Sequence, residues 1–249
     1  MRYAEAVECY QRALSLKPDF ELAVIHLGNT YFQLGRYREA IEQYRRYVEI
    51  GPLPSDRSRG VESLGWVYWK KHDLPQAASE LSSLAAKPQN PRLARLVAFE
   101  QGKLSATSEL RAYVSGDEGV ANRTSRLSDR VSQYFLGRLE LKAGRAEEAI
   151  LVFQQALREL PTYWMLDDME DCLGEAYLEL GRLDEAIGEY RRVLKVNPNR
   201  ALARYSLGVA LDRKGENAAA RAEFQRFLMI WKNADEDVPE RIDAARRVQ

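Results

Sequence analysis

The feature that most constrains this chain is a recurring dipeptide. Leu-Gly occurs in one recurring slot at 27–28, 64–65, 136–137, 173–174 and 207–208, at intervals of 37, 72, 37 and 34 residues, and again seven residues after two of these, at 34–35 and 180–181. A period near 34 with one skipped copy accounts for all four intervals, because 72 is two such periods plus four. Self-similarity at this period is the mark of small units that bury their apolar faces on one another. The 249 residues therefore read as an array of such units rather than as one or two unrepeated domains.

The same slots return around each Leu-Gly. In 167–200, Leu173-Gly174 is followed by Tyr177, Gly181, Ala186, Tyr190, Val193 and Pro198. In 21–54 the slots hold Leu27-Gly28, Tyr31, Gly35, Ala40, Tyr44, Tyr47 and Pro52. In 130–163 they hold Leu136-Gly137, Glu140, Gly144, Ala149, Phe153, Ala156 and Pro161. In 201–234 they hold Leu207-Gly208, Leu211, Gly215, Ala220, Phe224, Phe227 and Lys232. Residues 58–91 are looser, with Leu64-Gly65, Tyr68, His72, Ala77, Leu81 and Leu84. Residues 1–20 supply only a second half, with Ala6, Tyr10, Ala13 and Pro18.

Each slot has a physical reason. Apolar spacings of three and four within each half are helical. Gly35, Gly144, Gly181 and Gly215 sit where a left-handed residue ends the first helix without strain. The Leu-Gly glycine admits a closely packed neighbour, and the alanine of the second helix is expected to face it. The large aromatic is expected in the groove between pairs, and the proline stops the second helix. Nine of the fifteen glycines fall in these two slots, so glycine usage is architectural.

This pattern resembles the tetratricopeptide repeat (TPR) family, over nearly the whole chain. The resemblance implies an all-α fold: a right-handed α-solenoid of about six and a half TPR helical hairpins with a C-terminal capping helix. Residues 1–249 form a single solenoid in this reading. It runs as a half repeat at 1–20, repeats at 21–54 and 58–91, and a degenerate repeat at 92–115. A loop-rich insertion at 115–130 follows, then repeats at 130–163, 167–200 and 201–234, and a terminal helix at 235–249. In the degenerate repeat Gly102 is the expected turn glycine and Ala106, Leu110 and Tyr113 the second-helix core. The segment 227–240 (FLMIWKNADEDVPE) is also similar to the C-terminal end of many bacterial TPR regions.

Composition excludes several functions. Lys plus Arg and Asp plus Glu both number 37, so the chain lacks the positive field that nucleic-acid or anionic-membrane binding uses. The longest apolar runs, 149–153 and 227–231, are five residues and cannot cross a bilayer. Residues 1–14 alternate charged and apolar and do not form a signal peptide, which with the rest points to the cytoplasm. Cys9 and Cys172 form neither a metal motif nor a disulfide framework. His26 and His72 are isolated, and no P-loop, nucleophile–base or metal spacing occurs, so neither an enzyme nor a cofactor is expected.

What remains is protein or peptide binding. Family precedent puts first helices on the concave wall. The candidate groove residues are Asn29, Phe32, Trp66, Trp69, Tyr134, Phe135, Arg138, Asp168, Asp171 and Glu175. Trp66 and Trp69 share a helical face and are either interface anchors or packing on the adjacent helix. The acidic run 167–180 either favours a basic peptide or is a solvated face balanced by Arg138 and Arg213. The chaperone-tail clamp of some TPR proteins is not expected, because Ser63 stands where its second Asn belongs.

The ends suggest a second role. Met1 falls in a turn-glycine slot, so the first helix of that repeat is missing, and 235–249 supplies about half a repeat. The chain is therefore read either as a piece of a longer protein with a polar cap, or as a subunit that completes a repeat across a joint. In the second case Ala6, Tyr10 and Ala13 of one copy would meet Val238, Ile242 and Ala245 of the next, giving a ring or filament.

Overall fold

A computed structural model describes residues 2–83, 91–102, 126–158 and 170–249. Among these residues the chain forms thirteen helices and no strand. Helix α1 spans Tyr3–Leu16. Four hairpins follow the repeat: α2 (Glu21–Gln33) with α3 (Tyr37–Ile50), α4 (Pro54–Lys70) with α5 (Leu74–Ser82), then, after α6 (Pro91–Glu100), α7 (Arg126–Lys142) with α8 (Ala146–Arg158), and α9 (Cys172–Glu179) with α10 (Leu183–Val196). The last hairpin is α11 (Ala201–Arg213) with α12 (Asn217–Ile230), and α13 (Pro239–Arg247) closes the chain. The helices group into two compact units. The first comprises Met1–Val97, Asn199–Ala201 and Phe224–Gln249, and the second Ala98–Pro198 and Leu202–Glu223.

The turns are built alike. Gly35, Gly144, Gly181 and Gly215 have φ of 69°, 75°, 71° and 85°, the left-handed region that glycine enters without a Cβ penalty. The residue after each glycine donates its N–H to the carbonyl five residues back, as in Arg36 to Tyr31 O and Arg182 to Tyr177 O, both 2.9 Å. This closes the helix on its own free carbonyl. His72 holds the slot in the α4–α5 turn with φ 58°, and Asp73 N–H makes the same bond to Tyr68 O. Gly102 also turns at φ 70°, whereas Ala106, Leu110 and Tyr113 lie outside the described residues.

The packing differs from expectation at the Leu-Gly glycine. A Cβ on Gly28 would stand 2.7 Å from the Tyr44 ring, and one on Gly174 2.6 Å from the Tyr190 ring. Phe153 covers Gly137 and Leu81 covers Gly65 in the same way. The large second-helix residue, not the alanine, lies on the glycine of its own hairpin. A flat ring needs bare backbone beneath it, and the alanine is too short to reach.

A second regularity joins the turn to the helix before it. Arg36 lies over the Tyr31 ring at 4.4 Å and Arg182 over the Tyr177 ring at 4.8 Å. In the α7–α8 hairpin the aromatic slot holds Glu140, which is buried, and Arg145 meets it at 2.5 Å. One arginine position thus satisfies either a π face or a buried carboxylate.

Two boundaries move. Helix α4 begins at Pro54, four residues before the expected start, with the Asp56 carboxylate accepting the Leu53 N–H at 3.2 Å. Helix α7 begins at Arg126, inside the stretch expected to be loop. Residues 103–125 and 159–169 lie outside the described residues.

Gly174→Ala is expected to cost about 1–3 kcal/mol, because Tyr190 must leave its seat. Gly188→Ala, at an exposed helical site with nothing within 4 Å of the added Cβ, is expected to gain about 0.5–1 kcal/mol. Urea midpoints moving in opposite directions check both. Arg145→Met removes the guanidinium from buried Glu140 and is expected to lose about 1–3 kcal/mol, with Glu140→Tyr in the same background recovering most of it on the same urea assay.

Candidate functional site

In the first unit, helices α2 and α4 carry a row of accessible polar and aromatic side chains. His26, Asn29 and Gln33 on α2 are spaced by three and four and are half-buried. On α4, Glu62, Trp66 and Lys70 are spaced by four and half-buried, and Arg59 is exposed one turn before them. Residues three and four apart share a helical face, so each set forms a stripe. Asn29 is held in place by the Tyr44 hydroxyl, which donates to its Oδ1 at 2.8 Å. The imidazole of His26 stacks on Tyr10 of α1, with centroids 5.8 Å apart and planes at 18°. Burial and then the nearby Arg59 charge hold the His26 pKa below the ordinary histidine value.

Trp66 and Trp69 meet edge to face at 5.2 Å. Their burial differs. Trp69 is buried and packs in the helix layer, with Lys70 5.3 Å from its ring centre, while Trp66 keeps part of its surface. Phe32 is buried against Tyr37 and offers no free face.

In the second unit, Tyr134 and Phe135 are 2% and 1% exposed, packed edge to face on each other, with Phe153 6.1 Å from Tyr134. They are core residues rather than ligand anchors, because their rings fill the α7–α8 hairpin. Arg138 is buried and forms an ion pair with Glu175 of α9. Burial alone would lower its pKa, but Glu175, Tyr134 and Glu100 together raise it and keep the guanidinium charged. Cys172 lies beside this pair, and burial, followed by Glu175 and Asp171, pushes its thiol well above the usual range. A thiol so raised is a poor nucleophile.

The acidic run is threaded by arginines. Arg192 meets Glu170 at 3.8 Å, and Arg213 donates to Leu178 O at 3.2 Å. Glu170 and Glu175 are thus each paired with an arginine, Asp171 is half-buried, and Asp168 lies outside the described residues.

The six residues expected to support self-association are mostly engaged within the first unit. Ala6, Tyr10 and Ala13 are half-buried, and α1 packs on α2 through Tyr10 and through Gln11, whose amide donates to the Tyr31 hydroxyl at 3.1 Å. Val238 is buried, Ala245 half-buried and Ile242 exposed. Sequence reasoning missed the reason: the segment between α12 and α13 lies on the α2–α3 turn, with Trp231 against Gly35. Its one signal is a large aromatic at 231 beside a lysine in the proline slot.

Among the described residues no group of three or more His, Cys, Asp or Glu side chains is placed to hold a metal ion, and no helix is long and apolar enough to cross a membrane. Profiles described as tetratricopeptide repeat match residues 22–53, 124–163 and 173–237, and one described as TPR repeat matches 2–35. Together they cover more than half of the sequence. The chain belongs to the tetratricopeptide repeat family. Several relatives align along it at low identity. Human protein O-mannosyl-transferase TMTC1 is 24% identical over 84% of this chain and 23% of its own length. Anaphase-promoting complex subunit 3 of Schizosaccharomyces pombe is 24% identical over 91% of this chain and 38% of its own length. This TPR chain thus spans well under half of these relatives. Among solved structures, the APC/C hetero-tetramer Cut9–Hcn1 matches 99% of this chain and 46% of that chain, with TM-score 0.52 and 17% identity, which supports the fold.

The lowered His26 pKa has a definite sign. The unfolded chain takes up the proton first, so the contribution of neutral His26 is complete above the ordinary histidine value near 6.5. It is lost as pH falls toward the lowered folded-state value. His26→Gln is expected to flatten the fall in urea midpoint between about pH 7 and 5.5 relative to wild type.

Proposed function

We propose that this TPR chain is a non-catalytic scaffold that binds an extended peptide or a helix of a protein partner along the first helices α2 and α4. The observation that carries the reading is the two half-buried stripes, His26, Asn29 and Gln33 on α2 and Glu62, Trp66 and Lys70 on α4, with Arg59 of α4 near enough to His26 to act on its charge. Trp66 is its anchor. It is a large amphipathic ring, braced edge-on by buried Trp69, that retains surface for a ligand. A braced aromatic loses little rotamer freedom on binding, which is why such rings dominate interface energies. Asn29 and Gln33 offer amide donors and acceptors to a peptide backbone, and Arg59, Glu62 and Lys70 set charge preference without a single dominant sign.

Relatives of this chain are named as a subunit of the anaphase-promoting complex and as an O-mannosyl-transferase. The first name fits an assembly role. The second describes a protein of which this chain matches under a quarter. Partners in the cytoplasm fit the neutral charge and the lack of a membrane-crossing helix among the described residues.

A library of phage-displayed 12-residue peptides selected on the full chain tests the reading. Trp66→Ala is expected to weaken the enriched peptides by about ten-fold or more, with the thermal midpoint within a few degrees of wild type. Leu151→Ser, at an exposed site on α8 in the second unit, is expected to leave them unchanged. Peptides that bind Trp66→Ala as tightly as wild type would overturn the reading.

A further inference from the structure

The α2–α3 turn of the first unit carries a bound segment of the chain itself. Trp231 is buried on Tyr37 and Phe227, with ring centres 6.2 and 4.8 Å away. Its indole N–H donates to Gln33 O at 3.0 Å, a carbonyl left free at the end of α2. Asp235 N–H donates to Gly35 O at 3.0 Å, and the Asp235 carboxylate accepts Arg38 N–H at 3.0 Å. The second bond caps α3 from 197 residues away, where the residue in the cap position, Arg36, has no side-chain acceptor. Asp237 meets Lys71 at 3.3 Å and Arg38 at 3.5 Å. A Cβ on Gly35 would collide with Trp231 at 2.8 Å and with Ala234 at 2.9 Å, so the turn glycine is also the seat of the segment.

Among the described residues the same turn stands without such an occupant elsewhere. The Gly181–Arg182 turn repeats the geometry: glycine φ is 71° against 69°, and the arginine has φ −79° and ψ 70° against −88° and 63°. A Cβ on Gly181 would meet nothing within 4 Å. The edge therefore takes its shape from the hairpin alone and does not need the segment to form it.

We propose that the edge formed by Gln33, Gly35, Arg38 and Lys71 is a docking site for a Trp-x-x-Ala-Asp-x-Asp segment, filled in cis by residues 231–237 and exchangeable with the same segment of a second copy. This site is separate from the α2–α4 stripe, and its fate does not depend on that reading. The partner is a second copy because the pattern occurs once in the sequence, at 231–237, and exchange between copies keeps every bond. The cis segment competes at high effective concentration, so the lone chain holds its own edge. Among the anchors beyond the tryptophan, the Asp237–Arg38 pair is more than half exposed, so solvent competes for it more readily than for the buried tryptophan.

The test uses the full chain with Trp231→Ala, Asp235→Ala and Asp237→Ala, and a labelled synthetic peptide spanning residues 229–240. The triple variant is expected to remain folded by circular dichroism and to bind the peptide saturably. Wild type is expected to bind about ten-fold more weakly or less, because its own segment competes. Light scattering on wild type is expected to rise from one chain mass toward two with concentration, and the triple variant is expected to stay at one. A folded triple variant that ignores the peptide, equal binding by wild type, or a wild type of constant mass would each overturn the proposal. Should the triple variant not fold, amide exchange on wild type decides. Arg38 and Asp235 N–H exchanging together, ahead of the buried α2 and α3 amides, supports an exchangeable segment. Exchange of all of them in one step overturns it.

Discussion

At Gly28, Gly137 and Gly174 an aromatic ring of the second helix rests directly on the backbone of the first. Everything else in the hairpin follows from that contact. It sets the separation of the two helices, and the left-handed glycine of the turn returns the chain at the spacing the ring requires. Where the ring is replaced, as by Leu81 on Gly65, the glycine remains. The missing side chain is therefore the invariant and the ring is what fills it. A unit defined this way is two-sided and shallow, which is why it must be stacked to be stable.

Charge is handled by reuse of positions rather than by a dedicated site. The arginine after the turn glycine serves a tyrosine face in two hairpins and a buried carboxylate in a third. The buried Arg138 is satisfied by Glu175 across the gap from α7 to α9. Such pairs add little net stability against an apolar alternative but penalise any register in which one partner is left alone. Here that penalty falls on misaligned hairpins, whose apolar faces are similar enough to pair wrongly. Two carboxylates of the acidic run belong to the same arrangement, Glu170 facing Arg192 and Glu175 facing Arg138.

Most of the fold was legible in the sequence because a repeat states its own rule several times. Five Leu-Gly pairs and four turn glycines fixed the hairpins. The details lost were those that need neighbours. Burial of Tyr134, Phe135 and Trp69 could not be told from exposure, since a three-and-four spacing marks a face without saying what covers it. The start of α7 at Arg126 was hidden by the Ser, Gly and Asp content just before it. Of the candidate stripe, Asn29 and Trp66 stand among the groove candidates of the sequence, whereas His26 stands out there only as an isolated histidine. The contact of Trp231 with Gly35 was invisible, because that glycine obeys the same pattern as turns that carry nothing.

That contact also bears on the order in which the molecule can be made. Gln33 and Trp231 lie 198 residues apart. At a synthesis rate of about 5–20 residues per second, a growing chain exposes the Gly35 edge for on the order of ten to forty seconds before its own tryptophan emerges. Once α4 has emerged to stack on α3, the α2–α3 hairpin has neighbours on both sides, and its helices and short turn close in microseconds. The nascent chain thus carries a shaped, vacant seat while finished copies from the same message surround it. Local crowding on a polysome, rather than bulk concentration, would set how often a finished copy is captured before the chain's own end arrives.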